Sequence, residues 1–156
     1  MWADPKVVEH IIGIPSTSEQ TWSRFLRYAG LWHHLGFGYW VIADKSNDRF
    51  LGEAGFADFH RDATPSIKSR PEIGWALALQ WHRQGIATDS VSAILRWADR
   101  HLNATHSSAI INPTNLASIH LAKKIGFANE VMGSYVGNDL VFLERARWAG
   151  SKARAT

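Results

Sequence analysis

The sequence predicts a mixed α/β fold, one sheet with helices on its faces. Three observations predict it. Some segments carry apolar residues at helical spacing, and others are aromatic and β-branched runs. The two kinds alternate along the 156 residues. Turn chemistry separates them at regular intervals. The order read along the chain is α, α, β, β, β, α, β, α, β, β.

Asp4-Pro5 opens the first helix, with Asp as N-cap and Pro at the first helical position. Val8, Ile11 and Ile12 then share one face, and Gly13 stops the helix with Pro15 just beyond. Thr17 and Gln20 are spaced for a capping box at the start of the second helix. Trp22, Phe25, Leu26 and Ala29 follow at i, i+3, i+4 and i+7 and are predicted to be its buried stripe. Residues 37–43 (FGYWVIA) read as a strand, 45–48 (KSND) as a turn and 50–56 (FLGEAGF) as the hairpin partner. Gly52 and Gly55 mark a bulge or a close backbone approach in that partner. Residues 57–70 read as a polar, irregular surface loop, and 72–79 (EIGWALAL) as a third strand. After Gly85 the helical period returns through Val91, Ile94, Leu95, Ala98 and Leu102. Residues 107–112 form a short apolar strand ended by Pro113, and a helix over 115–124 closes at Gly126. Residues 132–136 and 140–145 read as a closing hairpin around Gly137-Asn138. The strand–helix–strand unit at 72–112 is expected to be a right-handed parallel crossover.

The length suits a single domain over residues 1–156, with 146–156 as a basic, solvated tail. Eight Trp call for a well-packed core or an aromatic-lined cleft. The absence of Cys excludes disulfides, thiolate catalysis and Cys-ligated zinc, and suits a cytoplasmic protein. His33 and His34 are adjacent and point apart, so no metal is expected. No apolar run is long enough to span a membrane, and the start has no signal-peptide pattern. A net charge of +3 mildly favours anionic ligands but is too small to argue for nucleic acid.

The chemistry concentrates in residues 72–89 (EIGWALALQWHRQGIATD), where a strand ends, a loop follows and a helix opens at Gly85-Ile86-Ala87. The first N–H groups of a helix lack intrahelical partners, and the helix dipole adds partial positive charge there. Gly85 and the small Ala87 permit close approach, Thr88 can add a hydroxyl, and His82 and Arg83 add charge. Such a junction suits phosphate or pyrophosphate. It is neither a Walker A loop nor a dinucleotide G-x-G-x-x-G.

These six residues, His82-Arg83-Gln84-Gly85-Ile86-Ala87, resemble the [QR]-x-x-G-x-[GA] signature of the GNAT superfamily of N-acetyltransferases, with His at the first place. Thr88-Asp89, the upstream EIGWAL run, and Asn115, Ser118, Lys124, Gly126 and Phe127 are similar to its RimJ/RimL-type branch. The resemblance covers about residues 2–145. It implies a GNAT-like mixed, largely antiparallel twisted sheet flanked by helices. The family's first strand is missing here, which leaves a sheet edge exposed or filled by another chain, so a homodimer is expected more than usual. The family's general-acid Tyr falls at Ala122, and the branch resemblance implies Ser118 in that role instead.

The resemblance further implies acetyl-CoA as co-substrate and an amine-bearing acceptor. Backbone groups of Leu77 and Leu79 would meet the pantetheine arm. Those of Gln84, Gly85, Ile86, Ala87 and Thr88 would hold the pyrophosphate, with His82 and Arg83 beside them. Asn115 would orient the cofactor or simply cap its helix. Glu72 would take the amine proton, with Glu53 the competing base. Trp40, Trp75 and Trp81 would line the acceptor cleft or pack in the core. Two rival readings remain: a module that binds acetyl-CoA without transfer, and an unrelated protein sharing the α/β plan.

Overall fold

A computed structural model of the protein describes residues 1–148. Its six strands form one sheet in the order β1-β2-β3-β4-β6-β5. The strands are β1 (Tyr39–Ala43), β2 (Phe50–Ala57), β3 (Glu72–Leu77), β4 (His106–Ile111), β5 (Ala128–Tyr135) and β6 (Asn138–Ala146). The helices are α1 (Pro5–Val8), α2 (Ser18–Leu35), α3 (Ile86–His101) and α4 (Leu116–Lys124). Every strand pair is antiparallel except β3 with β4, which α3 connects. The expected mixed, largely antiparallel sheet is therefore present, with β1 at one edge and β5 at the other. No helix among the described residues is long and apolar enough to cross a membrane.

Local signals set several ends as expected. Asp4 accepts the Lys6 N–H at 2.9 Å, and Thr17 and Gln20 make both bonds of a capping box. The inner face of α3 buries Val91, Ile94, Leu95 and Ala98 against Phe56, Ile73 and Leu77. Gly55 does mark a close approach, since a Cβ there would strike the backbone of Gly38 and Tyr39.

Three expectations are corrected and a fourth is refined. The first helix stops at Val8, because the chain turns there and the Gly13 N–H closes back on the Val8 carbonyl. Ile11 and Ile12 are left outside. The α2 stripe faces outward: Trp22, Phe25 and Leu26 are 60%, 59% and 51% exposed. Its inward face is Arg24, Tyr28, Leu31 and Trp32, fixed by a Tyr28–Tyr39 ring stack and a bond from Trp32 Nε1 to the Tyr39 carbonyl. Residues 57–70 are largely the irregular surface loop expected, but the loop is anchored. Thr64 bridges Ser134, and Ala63 and Ile67 bury against Phe142. The closing turn is Val136-Gly137, both at positive φ, rather than Gly137-Asn138.

The C-terminal end of α3 is tied to β6 by charge. Asp99, 4% exposed, receives Arg145 in a bidentate pair at 2.8 and 2.7 Å and also the Trp148 N–H. Arg147 donates to the Asp99 carbonyl and to that of Thr105. Residues 146–148 of the expected tail are thus held, and 149–156 lie outside the described residues.

Burial alone would raise the Asp99 carboxyl pKa, but the Arg145 and Trp148 bonds outweigh it and hold the pKa low. A depressed carboxyl stabilises the fold above its unfolded value, about 3.9, and loses that contribution as pH falls through the folded value. Urea melts should therefore show an acid-side decline that is flatter in Asp99→Asn. Arg145→Met, which strands the buried carboxylate, should cost roughly 3–5 kcal/mol at neutral pH.

Candidate active site

The site begins with an asymmetry of β3. On one side it pairs with β2 along its whole length, from Glu72↔Ala57 to Leu77↔Gly52. On the other it meets β4 at one register pair, Glu72↔Ser108, reinforced by the Ser108 N–H on the Pro71 carbonyl at 2.9 Å. Beyond that point the two strands have no ladder between them. β4 turns its bonding to β6 from His106 to Ile111. A slot between β3 and β4 therefore opens toward their C-terminal ends.

The predicted anion loop stands at that open end. β3 stops at Leu77, and Leu79 sits in a 3₁₀ turn, Leu79–Trp81, rather than in the strand. The Leu77 carbonyl is not free, because the His82 Nε2–H donates to it at 3.0 Å. Arg83 and Gly85 are left-handed, at φ +59° and +80°. Gly85 is the N-cap of α3, and no side chain caps that end. The N–H groups of the first turn, Ile86, Ala87 and Thr88, therefore lack helical partners and add to the positive end of the dipole. The space over Gly85 is open, and Gln84 braces the loop by donating to the Gln80 carbonyl at 2.8 Å.

Across the slot, β4 leads into α4. Asn115 caps that helix, its side-chain oxygen accepting the Ser118 N–H at 3.1 Å. Ser118 is half-buried on the first turn. Ala122 is fully buried in the core, with no room for a phenol.

The carboxylates lie on the sheet face opposite α3, and the structure separates their roles. Glu72 is 7% exposed, and both its oxygens accept from Arg61, at 2.7 and 2.9 Å. One guanidinium thus occupies both oxygens of Glu72. Glu53 sits one strand over, beside Ala76 of β3. Its Oε1 accepts from Trp2 Nε1 at 3.0 Å and from the Tyr28 hydroxyl. Its Oε2 has no partner among the described residues. Trp40, Trp75 and Trp81 pack against the main core.

Sequence reasoning missed Tyr28, Tyr39, Arg61 and Trp2. The Tyr39 ring runs from β1 across Gly55 toward Gly74, where a Cβ would strike its hydroxyl. Paired glycines on neighbouring strands were the available signal for a ring laid across them. Burial, with the charges of Glu72 and Glu53, pushes the Tyr39 phenol up. Burial and its bond to Glu53 do the same for Tyr28. Both stay protonated at neutral pH, and Tyr28 is thereby a fixed donor to Glu53.

The family model for the acetyltransferase (GNAT) domain matches residues 1–128. The chain belongs to the GNAT acetyltransferase family. A GnaT-family acetyltransferase from Bordetella pertussis is 30% identical, with a TM-score of 0.77 over 84% of this chain and 78% of that one. The structure of AAC(6')-Ib in complex with acetyl-CoA shares the fold, with a TM-score of 0.77 over 99% and 89% of the two chains and 17% identity. An uncharacterized Bacillus subtilis protein, YkkB, is 30% identical over 91 residues, 58% of this chain and 51% of that protein. The chain thus matches about half the length of that curated relative. GNAT relatives are acetyl-CoA-dependent N-acetyltransferases, and the AAC(6')-Ib structure holds acetyl-CoA. The GNAT slot and uncapped helix end described above suit such a ligand, a long polar arm with a pyrophosphate.

The glycine beneath Tyr39 gives a test. Gly74→Ala should displace the Tyr39 ring and cost about 1–3 kcal/mol, the usual range for overpacking. Thermal melts measure the loss. Unchanged stability would mean that Tyr39 does not lie over Gly74.

Proposed function

We propose that this protein transfers the acetyl group of acetyl-CoA to a primary amine by direct attack in a ternary complex. One observation carries the reading: β3 and β4 part after Glu72 and Ser108, directly below a helix start whose N–H groups are unclaimed. The pantetheine arm lies along the open edge of β3. The Leu77 and Leu79 backbone groups contribute there, less the Leu77 carbonyl that His82 occupies. The first-turn N–H groups, Gln84 to Thr88, hold the pyrophosphate, and His82 and Arg83 supply charge beside it. Asn115 acts by fixing the first turn of α4, which positions Ser118.

The acceptor nitrogen attacks the thioester carbonyl carbon. The C–N bond forms as the C–S bond breaks. Glu53 takes the amine proton on its open oxygen, directly or through a water, and Ser118 or a water it steers protonates the departing thiolate. A lysine-like amine, pKa about 10.4, is neutral in only about one molecule in 10³ at pH 7, a handicap of roughly 4–5 kcal/mol. An α-amine, near 8, suffers much less. The α-amine therefore suits a single carboxylate base, and the RimJ/RimL-type motifs at Asn115, Ser118 and Lys124-x-Gly126-Phe127 point the same way.

Calorimetric titration with acetyl-CoA tests the donor site. Micromolar binding is expected, and Gly85→Glu should abolish it through charge repulsion at the pyrophosphate. Retained affinity in folded Gly85→Glu protein would remove that assignment. Glu53→Gln should keep acetyl-CoA affinity while kcat falls about 10²–10⁴-fold, the usual worth of a general base. Equal kcat in the two proteins would strike Glu53 from the mechanism.

The outer edge of β1 is unpaired and Val41 is 68% exposed, which supports a homodimer joined there. Sedimentation of the full chain should show a dimer that Val41→Lys dissociates. A monomer at all concentrations would end that idea.

A further inference from the structure

The inward face of α2 carries one half-buried guanidinium group, Arg24, and exposed Arg27 lies beside it, three residues on and so a neighbour on the helix surface. Arg24 lies over the Trp2 ring, 3.8 Å from its centroid, and Arg27 over Phe59 at 5.1 Å. Arg49, Arg61, Arg70 and Arg145 all have carboxylates at salt-bridge distance. Arg24 and Arg27 have none among the described residues. The Nε of Arg24 is buried and donates to nothing. Of the nearby acids, Glu72 is committed on both oxygens to Arg61, and Glu53, whose Oε1 takes Trp2 and Tyr28, makes no salt bridge to Arg24. A half-buried cation with an unsatisfied donor is expensive unless an anion completes it.

We propose that the acceptor amine carries an anionic group, a carboxylate, which docks on Arg24 with Arg27 beside it while the amine meets the open oxygen of Glu53. This inference rests on the acetyltransferase reading and narrows its acceptor to small acidic amines such as free amino acids. The two subsites share residues. Trp2 donates to Glu53 through its N–H and carries Arg24 on its ring. Tyr28, one turn from Arg24, donates to the same carboxylate. Side chains one turn apart are about 5–6 Å apart, so the amine and the anion belong a few bonds apart on one small molecule. Stacking on Trp2 fixes the guanidinium plane, as bidentate carboxylate recognition requires. A polyamine would instead bring a second cation beside two unpaired arginines.

The test uses the full chain and matched probes, free L-amino acids and their carboxamides, which keep the amine and lose the anion. Binding is read from the Trp2 indole N–H resonance, and transfer from thiol release. The acids should shift that resonance and show kcat/KM about tenfold or more above their amides, the worth of one charge-assisted pair. Arg24→Gln should bring that ratio close to one by raising the KM of the acids. Should Arg24→Gln fail to fold, Arg27→Gln on the helix surface should lower the ratio in the same direction. Amides or polyamines used as well as acids would overturn the acidic acceptor and leave the transferase reading standing. Acids that shift Trp2 in a protein that transfers nothing would support the anion subsite and sink the transferase reading. Acids that leave Trp2 unmoved would overturn the subsite whether or not transfer occurs.

Discussion

The structure depends on a break in one hydrogen-bond ladder. Backbone N–H and C=O groups inside a fold are nearly always paired, so a strand in mid-sheet with one side open past its first residue carries a real cost. β3 carries it between β2, which pairs along all of it, and β4, which meets it only at Glu72. The neighbours make the break tolerable. β4 is held from the far side by β6, and α3 packs on β2 and β3, with Val91, Ile94 and Leu95 in the main core. The open edge is therefore stiff on both banks, which is what an extended ligand arm needs. The same break puts the start of α3 and the start of α4 on opposite sides of one opening.

The second organising contact is a tyrosine laid over glycines. The hydroxyl end of Tyr39 lies over Gly74, which has no Cβ to strike it, Gly55 lets the Tyr39 backbone approach β2, and Tyr28 stacks on the ring from α2 with centroids 4.4 Å apart. That stack fixes the rotation of α2. It turns Arg24, Tyr28 and Leu31 toward the sheet and leaves Trp22, Phe25 and Leu26 outside. One aromatic pair thus decides where the Tyr28 hydroxyl and the Arg24 guanidinium fall relative to Glu53.

Most of the fold was legible in the sequence for ordinary reasons. The cap residues Asp4 and Thr17, the β-branched runs and the inner stripe of α3 each obey a local rule, and local rules survive folding. The failures share a cause. Hydrophobic periodicity finds a helix face but not what the face meets, and the buried face of α2 contains an arginine and a tyrosine that hydropathy scores as surface. The anchoring of the 57–70 loop was not visible because its anchors, Ala63 and Ile67, are two apolar residues in a polar stretch. In the site, the anion loop was visible because its chemistry is local to residues 82–88. On the opposite sheet face, Glu53 and Glu72 were legible as strand carboxylates, but Trp2, Tyr28 and Arg61 were not, because they come from separate stretches that only the fold brings beside them.

The choice between the two carboxylates follows from how each is solvated. A carboxylate that accepts two bonds from one guanidinium is fully satisfied, and taking a proton would mean breaking that pair inside the protein. Glu72 is such a group, and its position at the closed end of the slot suits a brace that joins β3 to the 57–70 loop through Arg61. Glu53 is satisfied on one oxygen only, by neutral donors that hold it in place without neutralising it. A base needs to be oriented and yet unfinished. Of the two acids on this face, Glu53 alone has that combination, and Tyr28 and Trp2 are what give it to Glu53.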